Sequence, residues 1–152
     1  MTQRIEKLRR DHAVDVFDCG REEFNRFLHQ HALQNQHSGG SQTYVARVHQ
    51  TVAGDFALAV GSVEQEEAPE RVKKGWLAVD RHWQKRGIGA GLLKDATVRT
   101  LQAADIAGIR ALVVRAKDDE AKGFYQHFNF MPSPSDPLHL FMLLKDIRQI
   151  VL

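Results

Sequence analysis

One stretch of this chain constrains its fold more than any other: a short apolar run that is followed by a cluster of glycines. The run Leu77–Val79 ends at Asp80, and Gly87, Gly89 and Gly91 come soon after it. Beyond the glycines, apolar side chains recur at the spacing of one helix face: Ile88, Leu92, Leu93 and Ala96. The order is therefore strand, loop, glycine-rich turn and helix.

This order of elements is typical of a phosphate site. The start of a helix presents unpaired N–H groups and a partial positive charge, and glycines let a phosphate approach that backbone closely. Lys85 and Arg86 add positive charge beside it. Neither the GxGxxG dinucleotide fingerprint nor the GxxxxGK[ST] P-loop is present as written. The local pattern thus leaves two interpretations open, a pyrophosphate site and a glycine turn that is packed for steric reasons.

The other segments alternate between strand-like and helix-like patterns, which indicates an α/β or α+β architecture in one domain over 1–152. We expect strands at Val14–Phe17, Thr43–Val48, Val52–Val63, Arg110–Ala116 and Leu138–Leu144. We expect helices around Phe24–Ala32, from Ile88 to about Ala104, and from Asp118 or Asp119 to about Phe128. The charged segment Glu64–Gly75 and the region around Pro132, Pro134 and Pro137 are expected to be loops.

Composition bounds the cellular setting. Cys19 is the only cysteine, so no internal disulfide can form, which fits a reducing cytosol. The amino-terminal residues are too charged for a signal peptide, and no stretch approaches the roughly 18 apolar residues of a membrane span. We therefore expect a cytoplasmic protein with no membrane partner. The formal net charge of +2 permits a polyanionic partner without requiring one.

Two motifs carry a specific resemblance. Gln84–Gly89 matches the Q/R-x-x-G-x-G/A signature of the GNAT acetyltransferases, and the stretch from Asp118 to Phe130 resembles the second CoA-contacting motif, N-x-x-A-x-x-x-Y-x-x-x-G-F. Asp118 stands where that motif has Asn, and Asn129 where it has Gly. The resemblance implies a GNAT fold, a mixed central sheet flanked by helices, with acetyl-CoA as co-substrate. It assigns CoA contacts to Leu77, Ala78, Val79, Gln84, Lys85, Arg86, Gly87, Ile88, Gly89, Ala90, Gly91, Asp118, Ala121 and Phe124.

A narrower resemblance covers most of the chain. The segments similar to those of the GNAT toxins of type II toxin–antitoxin systems are Phe17–Gly20, Ala32–Gln36, Leu77–Asp80, Gln102–Arg110 and Pro132–Pro137. Those toxins acetylate the amino group of aminoacyl-tRNA and so block translation. The resemblance therefore implies aminoacyl-tRNA as acceptor, a ribbon-helix-helix antitoxin as partner and a homodimer.

The same resemblance assigns roles in catalysis. Tyr125 is expected to be the general acid that protonates the departing thiolate, and a backbone N–H near Leu77–Val79 is expected to polarise the thioester carbonyl. No general base stands out among the eight scattered histidines. Neither the histidines nor Cys19 shows metal-ligand spacing, so we predict no metal.

One departure from the toxin pattern keeps other functions open. Val72–Gly75 runs directly into Trp76, where the toxins carry a full apolar strand, so we expect a shortened central strand before Leu77. Two alternatives follow from this. The chain could acetylate a protein or small-molecule amine as a general GNAT enzyme, or it could be a catalytically weakened protein that binds CoA or an antitoxin.

Overall fold

The computed structural model describes residues 4–64, 69–107 and 109–151. The strands are β1 (Arg4–Lys7), β2 (Gln42–Val48), β3 (Thr51–Glu64), β4 (Pro69–Val79), β5 (Ala111–Arg115), β6 (Met131–Pro132) and β7 (His139–Leu143). The helices are α1 (Glu22–Arg26), α2 (Ala32–Ser38), α3 (Ile88–Ala107), α4 (Asp119–His127) and α5 (Leu144–Val151). A π-helical turn, Phe27–His31, joins α1 to α2.

The strands form one mixed sheet in the order β1-β2-β3-β4-β5-β7-β6. β4 and β5 pair in parallel, whereas β1–β2, β2–β3, β5–β7 and β6–β7 are antiparallel. The mixed sheet with helices confirms the predicted fold class. The chain divides into two compact units, Met1–Ala59 with Leu77–Ala96 and Val60–Trp76 with Thr97–Leu152.

The first unit is built on the β2–β3 hairpin, which the β-branched and apolar residues of both segments favour. Val45, Val52 and Ala78 pack in one apolar cluster with Leu28 and Ala32, so the helical segment from α1 to α2 covers this face of the sheet. Phe17 and Cys19 lie in the same cluster, and Cys19 is the small buried side chain expected of a structural cysteine.

The Gln36 side chain of α2 forms hydrogen bonds with the residue that follows β1 and with the second residue of β2. Its amide nitrogen donates to the Leu8 carbonyl at 2.9 Å, and its amide oxygen accepts from the Thr43 N–H at 3.0 Å. The Leu8 N–H in turn donates to the Thr43 carbonyl at 2.8 Å. One side chain therefore fixes the register of α2 against the start of β2.

The second unit centres on β5 and β7. Leu112 lies opposite Met142 and Val114 opposite Leu140, and all four side chains are buried. Because facing residues of antiparallel strands share one side of the sheet, these residues form a continuous apolar surface. β6 is an edge strand, which is where a proline such as Pro132 can be accommodated.

Several predictions of local structure are wrong. Val14–Phe17 is not a strand but part of a turn, in which the Phe17 N–H donates to the Val14 carbonyl at 3.1 Å. Pro132 lies in the two-residue strand β6 instead of a loop. Of the predicted loop Glu64–Gly75, Glu64 lies in β3 and Pro69–Gly75 lies in β4, whereas residues 65–68 lie outside the described part of the chain.

The shortened central strand before Leu77 is also not observed. β4 has 11 residues, and Val72–Gly75 pairs with Ala111–Val114 of β5. Parallel pairing uses backbone groups, which every residue here except Pro69 supplies in full, so a charged sequence can still complete the strand. The reason for expecting a catalytically weakened protein is thereby removed.

Candidate active site

The end of β4 is anchored by the backbone and side chain of Asp80. Its N–H donates to the Ala53 carbonyl at 2.8 Å. Its buried carboxylate accepts from the Asp18 N–H at 3.0 Å and from the His82 N–H at 2.9 Å. The second bond spans two residues and forms an Asx turn, which directs the chain out of the strand. Asp80 therefore sets where the loop toward the glycines begins.

Further contacts hold the loop between Asp80 and Gly87. The Arg81 N–H donates to the Asp18 carbonyl at 2.8 Å, and the Arg81 guanidinium lies 3.3 Å from the Asp18 carboxylate. The Gln84 amide donates to the Val79 carbonyl at 3.1 Å, and the Arg86 guanidinium lies 5.1 Å from the centre of the Trp83 ring. A hydrogen bond from the Asn25 amide, more than the Arg81 charge, lowers the pKa of Asp18 and keeps it ionised.

The glycine turn has the backbone shape of an anion cradle. Lys85 and Gly87 are left-handed, with φ of 64° and 84°, and Ile88 begins α3. Left-handed and helical residues in succession turn their N–H groups toward a common concavity. The Gly91 N–H makes the first bond of the helix, to the Gly87 carbonyl at 3.1 Å, so the N–H groups of Ile88, Gly89 and Ala90 precede it.

The space in front of this turn is open. A Cβ placed on Gly87 would meet no atom within 4 Å. The side chains of Gln84, Lys85 and Arg86 are exposed, whereas the side chain of Ile88 is buried, so Ile88 offers only its backbone. These features fit a diphosphate: a positive helix end, room for the group to approach, and mobile cations beside it.

Gly54 of β3 allows α3 to lie close to the sheet. A Cβ at Gly54 would be 2.8 Å from Leu92 Cδ1, 3.0 Å from the Ala78 carbonyl oxygen and 3.2 Å from Ile88 Cγ2. Any larger residue would push the first turns of the helix away from β4. The sequence analysis did not predict the structural roles of Gly54 and Asp80. Both have recognisable signals, since Gly54 is a glycine inside the β3 pattern and Asp80 is an aspartate directly after β4.

The second predicted motif lies in the second unit and is built around α4. The Asp118 side chain accepts from the Ala121 N–H at 2.9 Å and caps the helix. Asn129 is left-handed with φ of 72°, so it occupies the conformation for which the GNAT motif uses glycine. Asn tolerates this conformation better than most side chains do. Both departures from the family motif thus retain its local structure.

Tyr125 lies on the buried face of α4. Its side chain is only 2% exposed, and its ring packs against Phe124 and Phe130 with centroid distances of 5.4 and 5.6 Å. Burial raises the pKa of the Tyr125 phenol well above its usual value. The hydroxyl therefore stays protonated at neutral pH and has a proton to donate.

The structure distributes the predicted CoA contacts over the two units. Leu77–Val79 and Gln84–Gly91 lie in the first unit, where the hydrogen bonds described above connect them. Asp118, Ala121, Phe124 and Tyr125 lie together in the second unit on α4 and its cap. Ala121 and Phe124 are half-buried.

No metal site is found in the part of the chain that the structure describes, and half of the histidines have other partners. No group of three or more His, Cys, Asp or Glu side chains there could hold a metal ion. Four histidines are engaged with other groups: His12 with Glu6, His29 with the Phe17 carbonyl, His82 with Asp80 and His139 with Asp136. Over the same residues, no helix combines the length and apolar character needed to cross a bilayer.

Comparison with known proteins agrees with this geometry. Residues 39–132 match the acetyltransferase (GNAT) domain family. A tRNA-acetylating toxin of Mycobacterium tuberculosis (strain ATCC 25618 / H37Rv) is 44% identical over 149 residues, which cover 91% of this chain and 90% of the toxin.

Solved structures of the toxin AtaT share the fold over nearly the whole chain. A mutant of AtaT bound to the C-terminus of the antitoxin AtaR and acetyl-CoA is 27% identical, with a TM-score of 0.86 and 98% of both chains covered. AtaT complexed with acetyl-methionyl-tRNAfMet is 25% identical, with a TM-score of 0.83 over 99% of this chain and 100% of that one. The glycine turn, the capped α4 and these matches lead to one conclusion: the chain belongs to the GNAT family of acetyltransferases.

Proposed function

We propose that this protein is a toxin that moves the acetyl group of acetyl-CoA to the amino group of aminoacyl-tRNA and so blocks translation. The observation that carries the acetyl-CoA part is the open, left-handed turn at Gly87 in front of the first N–H groups of α3. The acceptor is supported by the 44% identical toxin of Mycobacterium tuberculosis and by the tRNA complex of AtaT.

The residues for holding the co-substrate follow from the chemistry of each segment. The N–H groups of Ile88, Gly89 and Ala90, which precede the first bond of α3, would bind the diphosphate, with the exposed side chains of Gln84, Lys85 and Arg86 beside it. The backbone of Leu77, Ala78 and Val79 would align the pantetheine arm. Asp118, Ala121 and Phe124 would contribute through the second motif, in which Asp118 fixes the first turn of α4.

Acetyl-CoA supplies an activated acetyl group, and the protein's residues supply orientation and proton transfer. A backbone N–H of Leu77–Val79 would stabilise negative charge on the thioester oxygen, a contribution that is typically worth about 100- to 1000-fold in rate. Tyr125, whose phenol is protonated at neutral pH, would donate its proton to the departing sulfur.

The setting of the protein completes the proposal. We place it in the cytoplasm, where its acceptor is found, as one catalytic domain that forms a homodimer. Its antitoxin would be a ribbon-helix-helix protein. The complexes of AtaT with the antitoxin AtaR support an antitoxin partner of some kind.

The experiment that tests the function is transfer of labelled acetyl to a pool of charged tRNAs, with the products resolved by amino acid. Tyr125→Phe removes the hydroxyl and keeps the ring, so transfer should fall by about 100-fold or more. Affinity for acetyl-CoA, measured by calorimetry, should stay within about twofold. Tyr44→Phe, which alters the only other tyrosine, is the matched control. Transfer to small amines but not to charged tRNA would refute the proposed acceptor, and equal rates for wild type and Tyr125→Phe would refute the proposed acid.

A further inference from the structure

Trp83 is a large aromatic residue on the loop between Asp80 and Gly87, and the function proposed above gives it no role. Its N–H donates to the Asp80 carbonyl at 2.8 Å, which closes a turn at the end of β4. The Trp83 side chain is half-buried, whereas its neighbours His82 and Gln84 are exposed. The hydrogen bonds of Asp80 and Gln84 hold the residues on both sides of the ring, so the loop itself fixes the position of Trp83.

The Trp83 ring lies against the guanidinium of Arg86. The Arg86 Cζ is over the ring and 5.1 Å from its centre. This distance is inside the range in which a guanidinium is attracted to the face of an indole. Lys85, which lies between the two residues, is left-handed with φ of 64°. A left-handed residue reverses the chain locally, and here the reversal brings Arg86 back toward Trp83.

The ring orients Arg86 without neutralising it. The other arginine of this loop, Arg81, lies 3.3 Å from the Asp18 carboxylate, which offsets its charge. Arg86 is exposed and has no ion-pair partner in the part of the chain that the structure describes. A guanidinium on an aromatic face keeps its positive charge, and its N–H donors remain available to an anion.

The position of Arg86 places this charge next to the anion cradle. Arg86 directly precedes Gly87, and the three N–H groups that precede the first bond of α3 follow at once. A mobile arginine loses rotamer freedom when it binds an anion, and that loss reduces the affinity. A guanidinium that a ring already holds in place loses less freedom, so the same contact with a phosphate yields tighter binding.

We propose that Trp83 is a positioning residue for the co-substrate: its ring holds the Arg86 guanidinium where it binds the diphosphate of acetyl-CoA. This inference rests on the proposed function. A cation–π contact at an exposed site is worth about two- to fivefold in an equilibrium constant. The contribution of Trp83 to acetyl-CoA affinity should be of this size, and it should exist only while Arg86 is present.

The test is a cycle of two substitutions, measured by calorimetric titration with acetyl-CoA. Trp83→Leu should weaken binding about two- to fivefold when Arg86 is present. In the Arg86→Gln background, Trp83→Leu should leave the affinity unchanged, because no guanidinium is left for the ring to hold. Trp83→Phe keeps an aromatic face and should recover most of the affinity that Trp83→Leu loses.

Kinetics provide a second measurement. In acetyl transfer to a pool of charged tRNAs, Trp83→Leu should raise KM for acetyl-CoA by the same factor and leave kcat unchanged, because the ring acts on binding alone. Arg10→Gln removes an exposed cation from the turn after β1 and is the matched control for the charge lost in Arg86→Gln. Trp83→Met supplies a second variant without a ring, should Trp83→Leu not fold.

The outcomes separate this inference from the function on which it rests. Equal losses of affinity from Trp83→Leu in both backgrounds would mean that the ring supports the loop independently of Arg86, and would overturn the inference. Trp83→Phe as weak as Trp83→Leu, or wild-type affinity in Arg86→Gln, would also overturn it and leave the proposed function intact. Failure of the wild type to bind acetyl-CoA would overturn the proposed function, and the inference with it.

Discussion

Replacing Asp55 by Asn should change how the stability of the protein depends on pH. Because burial raises the pKa of Asp55 from 3.8 to about 8, the folded state keeps a proton that the unfolded state releases near pH 4. Unfolding therefore releases a proton between these values, and stability falls as pH rises through this window. Above about pH 8 both states are ionised, and the dependence ends.

The magnitude follows from the size of the shift. Each pH unit inside the window changes the free energy of unfolding by about 1.4 kcal/mol for one proton. Between pH 5 and pH 8, allowing for the curvature near the folded-state pKa, the wild type should lose about 3 to 4 kcal/mol relative to Asp55→Asn. The Asn side chain does not titrate, so the difference between the two proteins isolates Asp55 from all other groups.

Urea unfolding of both proteins at pH 5, 6, 7 and 8 measures this difference directly. The two curves of unfolding free energy against pH should converge on the acidic side and separate toward pH 8, with Asp55→Asn becoming the relatively more stable protein. Curves that run parallel from pH 5 to pH 8 would show that Asp55 is ionised in the folded state, contrary to the reasoning from its burial. The slopes of the urea transitions should stay equal, since no change in exposed surface is expected.

Three further substitutions test the site. Gly87→Ala should destabilise the fold by about 1 kcal/mol in urea unfolding, because φ is 84° there. The same substitution should also weaken the binding of acetyl-CoA about tenfold, as measured by calorimetry. An unchanged affinity would contradict the proposal that this turn binds the diphosphate. Asp80→Asn places an amide NH₂ group opposite one of the two backbone donors, the N–H groups of Asp18 and His82. The free energy of unfolding, measured by melting, should therefore fall by about 1–3 kcal/mol. A stability equal to that of the wild type would contradict the anchoring role of Asp80. Asp118→Ala removes the cap of α4 and should cost about 1 kcal/mol in urea unfolding, whereas Asp118→Asn should cost less.

Much of the site could be predicted from the sequence because its signals are local. The glycines after an apolar run fix a strand, a turn and a helix start within one stretch of chain, and the structure has α3 beginning at Ile88. Asp118 is a cap because its side chain can reach an N–H three residues later. The conformations of a glycine turn and of a helix cap depend on residues that are close in sequence, so a sequence pattern can predict them.

The errors occur where partners distant in sequence decide the structure. Val14–Phe17 has the composition of a strand, but Phe17 is buried as a single anchor in a turn, and its carbonyl binds His29. Val72–Gly75 has the composition of a loop, yet it pairs with β5. Asp55 lies in a strand that was correctly predicted, and its burial only becomes visible when β2, β4 and the helical segment are assembled around it.

The π-helical turn gives the helical segment one place where its length can change. A π-turn holds one residue more than an α-helix does over the same rotation, so the extra residue within Phe27–His31 is absorbed locally. Removing one residue there, such as Gln30, would restore continuous α-helix and leave the same face of α2 toward the sheet. Removing one residue from α2 itself, such as Leu33, would rotate the rest of α2 by about 100° about the helix axis. Gln36 would then turn away from Leu8 and Thr43. A one-residue deletion should therefore cost much less stability in the π-turn than in α2.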